Sequence, residues 1–257
     1  MVDLAHAAQG PVVLRRLSFR DLGAALAVGW ADFRAYPAYG LFFGGIYVLS
    51  GLLLVYALLV RGEAVWLIPS AAAFPLFAPF AAVGLYEVSR RREAGLTISW
   101  GAVLGALRGR GDEQLILMGG IVFVGLSFWL IIAHTIFAIF MAESGLGSES
   151  LAVFGTQAGL TMLATGSLVG AVIAFGFYAI TVFSLPMLVD RDVDFITAII
   201  TSLRALGGNR LVLAVWALFV AAALFAAMLP AFLGLLLVLP VLGHATWHLY
   251  RRAVGDC

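Results

Sequence analysis

The sequence predicts an all-α, polytopic membrane protein: six transmembrane helices in three hairpins, each hairpin preceded by an amphipathic helix in the interface. Three observations predict it. First, 63% of the residues are hydrophobic and 11% charged, with a mean hydropathy of +1.07. A soluble domain carries about 25% charged residues. This chain cannot cover itself with polar surface, so lipid is its solvent. Second, apolar runs of spanning length recur along its 257 residues. Third, every basic residue is Arg, and all but Arg61 fall on one set of loops. The opposite loops carry Glu63, Glu143 and Glu149. The positive-inside rule then places both termini of this multi-pass chain in the cytoplasm.

The elements follow in order. The N-terminal residues 1–17 read as a polar tail without the isolated apolar core of a secretory signal. Ser18 to Phe33 reads as an amphipathic helix, capped by Ser18 with Asp21 three residues on. Its apolar face is Phe19, Leu22, Leu26, Trp30 and Phe33, with Arg20, Asp21 and Asp32 elsewhere. Pro37 redirects the chain. Span 1 runs from about Tyr39 to Val60 and exits through Arg61, Gly62 and Glu63. Span 2 runs from about Ala64 to Val88. Pro69, Pro75 and Pro79 predict breaks in it, tolerable where neighbours satisfy the freed carbonyls. It ends in Arg90, Arg91 and Arg92.

A second short amphipathic segment, Ile98 to Leu107, precedes span 3 (about Leu115 to Met141). Glu143 to Glu149 is an acidic, Gly/Ser-rich loop. The run from Leu151 to Val189 is too long for one crossing. It divides into a short helix, Leu151 to Thr161, and span 4, about Ala164 to Leu188. Asp194 caps a third amphipathic helix, Phe195 to Leu206. Span 5 (about Leu211 to Met228) turns at Pro230 into span 6 (about Ala231 to Tyr250), which ends in Arg251 and Arg252.

The chain therefore reads as one helical membrane domain with repeat-like units of about 18–97, 98–192 and 193–252. Phe43-Gly44-Gly45-Ile46 answers Met118-Gly119-Gly120-Ile121, and Pro79, Tyr86 and Arg90 match Pro240, Trp247 and Arg251 in spacing.

Few residues point to chemistry. His134 sits within span 3, where an ionisable group is a functional candidate; a neutral imidazole bonded to a neighbouring helix explains it as well. His244 and His248 lie four apart on one face of span 6, a spacing that can present two ligands. One helix cannot supply both axial ligands of a haem, and a metal needs a third donor. Neither a haem nor a metal is expected. Glu87, one turn before Arg90 and Arg91, reads as an ion-paired carboxylate. Arg90, Arg91, Arg92, Arg251 and Arg252, with Tyr86 and Trp247, read as topology and lipid-interface residues. Gly40/Gly44, Gly155/Gly159 and Gly166/Gly170 are small-residue pairs that permit close helix approach. The single Cys, Cys257, excludes an internal disulfide. The sequence shows no Gly-rich phosphate loop, no nucleophile with its base and no two carboxylates paired within a span.

The segments 29–51 (GWADFRAYPAYGLFFGGIYVLSG), 79–95 (PFAAVGLYEVSRRREAG), 190–202 (DRDVDFITAIITS) and 239–252 (LPVLGHATWHLYRR) resemble a bacterial family of integral membrane proteins of unknown function. Some of its members carry the label cytochrome c oxidase subunit I. The resemblance implies a polytopic helical inner-membrane fold and supplies no reaction. Six spans and four His, one of them His6, are too few for an oxidase core. No catalytic residue is carried over. The expected function is a non-enzymatic scaffold, accessory subunit or assembly factor, associated with a respiratory complex if the label has a basis. The alternatives are a small transporter or channel, and a haem- or metal-binding membrane protein. The expected partners are the bilayer and either a membrane-protein complex or a second copy of the chain, with no nucleic acid.

Overall fold

The computed structural model describes residues 13–63, 66–106, 114–144 and 154–255. The first part of the tail (1–12), Ala64, Leu107, the loop residues 145–150, the start of the expected helix at Leu151 and the single Cys257 lie outside them. The chain is helical almost throughout: α1 (Phe19–Ala35), α2 (Pro37–Val60), α3 (Leu67–Ala73), α4 (Ala78–Ala81), α5 (Val83–Glu93), α6 (Trp100–Gly105), α7 (Gln114–Ser144), α8 (Gln157–Thr181), α9 (Ser184–Asp190), α10 (Phe195–Gly208), α11 (Arg210–Met228) and α12 (Leu235–Ala253).

Among the described residues five segments, not six, are long and apolar enough to cross a membrane: Pro37–Val60, Leu67–Glu93, Gln114–Phe140, Gln157–Asp190 and Arg210–Met228. The expected sixth, α12, falls short because its second half carries His244, His248, Arg251 and Arg252. It tolerates that polarity because it is wrapped by protein. Eleven of its residues are buried, and α1, α2, α5 and α11 all pack on it. Lipid-facing apolar surface belongs instead to α2, α7, α8 and α11, for example Leu53, Phe123, Leu168 and Leu218.

The expected hairpins are only partly the packing units. α7 lies along α8 and α11 along α12, but α2 packs mainly on α12 rather than on its sequence neighbours α4 and α5. Gly40 and Gly44 explain the choice. A Cβ at Gly40 would lie 2.8 Å from the Pro240 ring, and one at Gly44 3.1 Å from the Leu236 backbone. The other two glycine pairs have no such role throughout, since Gly155 and Gly166 face open space.

The second span is broken where its prolines stand. α3 gives way to a 3-10 turn over Phe74–Phe77, then to α4 and α5. Pro75 and Pro79 lack the N–H groups a continuous helix needs. The Tyr47 hydroxyl donates to the Phe74 carbonyl, and the Trp129 indole N–H donates to the Pro69 carbonyl at 3.3 Å. Side chains of neighbouring spans thus donate to carbonyls within the broken stretch.

The three short amphipathic helices are present, capped as expected at Ser18 and Asp194 and, unexpectedly, at Ser99. The Asp21 carboxylate accepts from the Ser18 N–H at 2.8 Å and from its hydroxyl at 2.7 Å. Ser99 accepts from the Ala102 N–H and Asp194 from the Thr197 N–H. The separate helix expected to reach Thr161 is absent over its described part. Thr156 caps α8, which begins at Gln157 and continues into the span.

Each amphipathic helix packs on the end of an apolar segment: α1 on α12, α6 on α5 and α10 on α9. The ends α5, α9 and α12 also touch one another. The tail is not loose from Val13 onward. Val13–Leu14 pairs antiparallel with Val254–Gly255. The buried Asn209 side chain accepts from the Leu17 N–H at 2.6 Å and donates to the Arg15 carbonyl at 3.2 Å.

Candidate functional site

At the arginine-rich end, α1, α5 and α12 bring five polar side chains together. Asp32 comes from α1, Ser89 and Arg92 from α5, and His244 and His248 from α12. On α5 and on α12 the residues are three or four apart and therefore share a face. Gly29 lets the third helix join them. A Cβ there would stand 2.5 Å from the Ala245 backbone nitrogen, so only glycine allows this approach. Asp32, one turn on, then reaches the histidines.

Asp32 is 2% exposed. Its Oδ1 accepts from Arg92 Nη1 at 2.5 Å. Its Oδ2 accepts from Ser89 Oγ at 2.5 Å and from His248 Nε2 at 2.7 Å. Ser89 Oγ also lies 2.7 Å from His244 Nδ1. Burial works against ionising Asp32, but the hydrogen bonds from His248 and Ser89 and the nearby histidines outweigh it. The carboxyl is held below its ordinary value. Proton counting fixes the rest. Ser89 has one hydroxyl proton and gives it to the ionised carboxylate, so His244 must donate from Nδ1–H to Ser89. His244 Nε2 then keeps a lone pair, and it has no hydrogen-bond partner among the described residues.

Serine, histidine and aspartate are the residue types of a hydrolase triad, but the connections differ. In a triad the histidine takes the serine proton and the carboxylate holds the other ring nitrogen. Here the carboxylate takes the serine proton directly, and Ser89 and His244 are both fully buried. Among the described residues no three His, Cys, Asp or Glu side chains are grouped as metal ligands. At 2.7 Å, Asp32 and His248 share a hydrogen bond rather than flank an ion. The arrangement holds one buried negative charge tightly against three helices.

Around this centre further charges pair. Glu87 accepts from Arg90 Nε and Nη2 and from Arg91 Nε, each at 2.7 Å, the pairing expected from sequence. Arg251 bridges Glu93 at 3.1 Å and Asp190 at 3.2 Å. Trp247 donates to Glu93 and Tyr250 to Asp190, and Arg252 meets Asp21 at 3.1 Å. Of the five arginines read as topology residues, Arg92, Arg251 and Arg252 are also cross-links between helices, whereas Arg90 and Arg91 pair with Glu87 on their own helix. Tyr86 and Trp247 correct the expectation of aromatic lipid anchors. Their rings are 2% and 0% exposed, inside the protein.

His134 is not part of the cluster's hydrogen-bonding set. It lies on the exposed side of α7, its ring stacked 5.3 Å from that of Trp66. Asp32 is the residue that sequence reasoning missed. The one available signal was a carboxylate three residues after Gly29, on the small-residue stripe of α1 rather than its bulky one.

Residues 67–190, just under half of the chain, match the model of the family described as Predicted integral membrane protein (DUF2189). The protein is thus an integral membrane protein with several apolar helices, and the family's function is unknown. The DUF2189 segment supplies Ser89 and Arg92, while Asp32, His244 and His248 lie outside it. No curated protein and no solved structure matches the chain.

Proposed function

We propose that the protein is a non-enzymatic, multi-pass protein of the bacterial inner membrane that serves as a scaffold, accessory subunit or assembly factor, with both termini cytoplasmic. One observation carries this reading: the acidic side chains at the arginine-rich end, Asp32 and Glu87 among them buried, are paired within the same frame. Asp32, Glu87, Glu93 and Asp190 each accept from side chains of the same frame. A reactive site needs a group left available to substrate, whereas this network serves to lock helices together. The orientation rests on the positive-inside rule. The packing of α1 on α12, α6 on α5 and α10 on α9 supports three duplicated units closed in a ring. Broad apolar faces on α2, α7 and α8 remain for lipid or a neighbouring membrane protein.

The test is gentle solubilisation of tagged protein followed by quantitative mass spectrometry and a visible spectrum of the same sample. A stoichiometric membrane partner supports the proposal. The oxidase label borne by members of the resembled family directs the first search to respiratory complexes. A monomer that carries a polar substrate overturns it. A transporter gains support from the proline-broken second span, which lines a cavity. That cavity's lining is apolar and does not include His134, which disfavours a path for ions or polar solutes.

A further inference from the structure

A pocket of about 200 Å³ lies at the arginine-rich end, between α5, α6 and the last turn of α9. Glu87, Arg90 and Arg91 line it, with Gly105 and Val189. It has room for about six waters at roughly 30 Å³ each, and so for a tetrahedral oxyanion. Two guanidinium groups stand here against one carboxylate. Glu87 takes Arg90 Nε and Nη2 and Arg91 Nε, and Arg91 Nη1 donates to the Thr97 carbonyl. Asp190, the next carboxylate near Arg90, is already shared by Tyr250 and Arg251. Arg90 Nη1 and Arg91 Nη2 are left over. Neither has a hydrogen-bond partner among the described residues, and neither is sealed from solvent as the Trp216 and His244 nitrogens are. The two side chains are only 13% and 24% exposed, so Glu87 and Thr97 hold both forks in place. The pocket therefore presents an excess positive charge and two N–H edges fixed before any ligand arrives.

Chemistry and depth name the ligand. The planar fork of arginine matches the oxygens of a phosphate, which can accept from both guanidinium groups at once. α5 and α9 end two of the segments apolar enough to cross a membrane, Leu67–Glu93 and Gln157–Asp190. α6 lies beside the start of a third, Pro37–Val60. Its Trp100 ring stands 4.2 Å from that of Tyr39 and 5.1 Å from that of Phe42. Trp100 and Leu104 are exposed, as on a helix that lies in the interface. Three elements thus set the pocket at the level where spans leave the hydrocarbon, which is the level of phospholipid headgroups.

We propose that this pocket is a binding site for one phosphate group, held by Arg90 Nη1 and Arg91 Nη2, and that its level assigns the phosphate to the headgroup of an anionic bilayer lipid. The experiment is native mass spectrometry of the full-length protein in detergent, offered three probes in turn: phosphatidylglycerol, diacylglycerol with the same chains but no phosphate, and inorganic phosphate. Wild type is expected to keep one phosphatidylglycerol and no diacylglycerol. Arg91→Lys keeps the charge but loses the fork, and should retain the lipid about tenfold less well, the factor of one charge-assisted hydrogen bond. Gly105→Leu should fill the pocket and abolish retention without disturbing its surroundings, because a Cβ there meets nothing within 4 Å. Arg20→Gln, which removes an exposed arginine outside the pocket, should change nothing. Inorganic phosphate that displaces the lipid, with the same dependence on Arg91 and Gly105, would uphold the phosphate site and overturn its lipid source. Equal retention of diacylglycerol, full retention by Arg91→Lys and Gly105→Leu, or an equal loss in Arg20→Gln would overturn the site itself.

Discussion

Replacing Asp32 by Asn tests whether the buried cluster holds the helices together. The substitution keeps the shape and removes the charge. Arg92, His248 and Ser89 then face an amide with one acceptor oxygen in place of two anionic ones. Breaking a buried ion pair costs about 3–5 kcal/mol, and hydrogen bonds to charged groups are worth about 1.5–3 kcal/mol each. The Arg92 side chain is 38% exposed and can recover hydration, which removes part of the cost. We expect a loss of about 3 kcal/mol, read by equilibrium unfolding in mixed detergent–SDS micelles. Arg92→Gln should cost less, and the double variant should show a coupling of about 1–2 kcal/mol. The pH dependence follows from the lowered carboxyl. Its stabilisation is whole above the unfolded value of 3.8 and is lost as pH falls through the lower folded-state value. Asp32→Asn should lack that acid-side loss. A variant within about 0.5 kcal/mol of wild type, or an additive double variant, would refute the cluster's structural role.

Four further outcomes are expected. Gly29→Ala should prevent α1 from docking, because its Cβ would meet the Ala245 backbone at 2.5 Å, whereas Gly45→Ala, with nothing within 4 Å, should be neutral or stabilising; size-exclusion profiles after heating compare them. Tyr47→Phe should cost about 1–3 kcal/mol by leaving the Phe74 carbonyl short of its side-chain donor. Cysteines placed at Gly62 and Gly95 in a Cys257→Ser background should react with an impermeant maleimide from opposite faces of the membrane; labelling from one face would overturn the topology. The purified protein should show no Soret band, and a haem spectrum lost in His248→Ala would restore the haem reading.

The spans, the proline breaks and the Glu87 ion pairs were legible because each follows from local composition or spacing. Asp32 was not. On α1 the expected apolar face is Phe19, Leu22, Leu26, Trp30 and Phe33; Leu22 and Phe33 are buried, but Phe19 and Trp30 are exposed. The helix buries Ala25, Gly29 and Asp32 along with them. In a membrane, bulky apolar residues can face lipid while small ones face protein, so periodicity gives a face rotated from the buried one. The same physics hid the place of α12. Its polar half looked like an interfacial end, but protein surrounds it. Trp247 and Tyr86 looked like lipid anchors because sequence does not say which neighbours cover a ring. The pairing of Val13–Leu14 with Val254–Gly255 had no local signal at all, since each strand is two residues long.

The separation of Asp32 from His248 by 216 residues has a consequence for biogenesis. The ribosome delivers the carboxylate first, then Ser89 and Arg92 roughly sixty residues later, and the two imidazoles only after every intervening helix has been threaded into the bilayer. A nascent chain therefore carries a half-built anion site for most of its synthesis, with α1 unable to seat until α12 arrives. Chains stalled before that moment would present the same unmet aspartate, a uniform mark by which a quality-control protease could tell unfinished copies from finished ones.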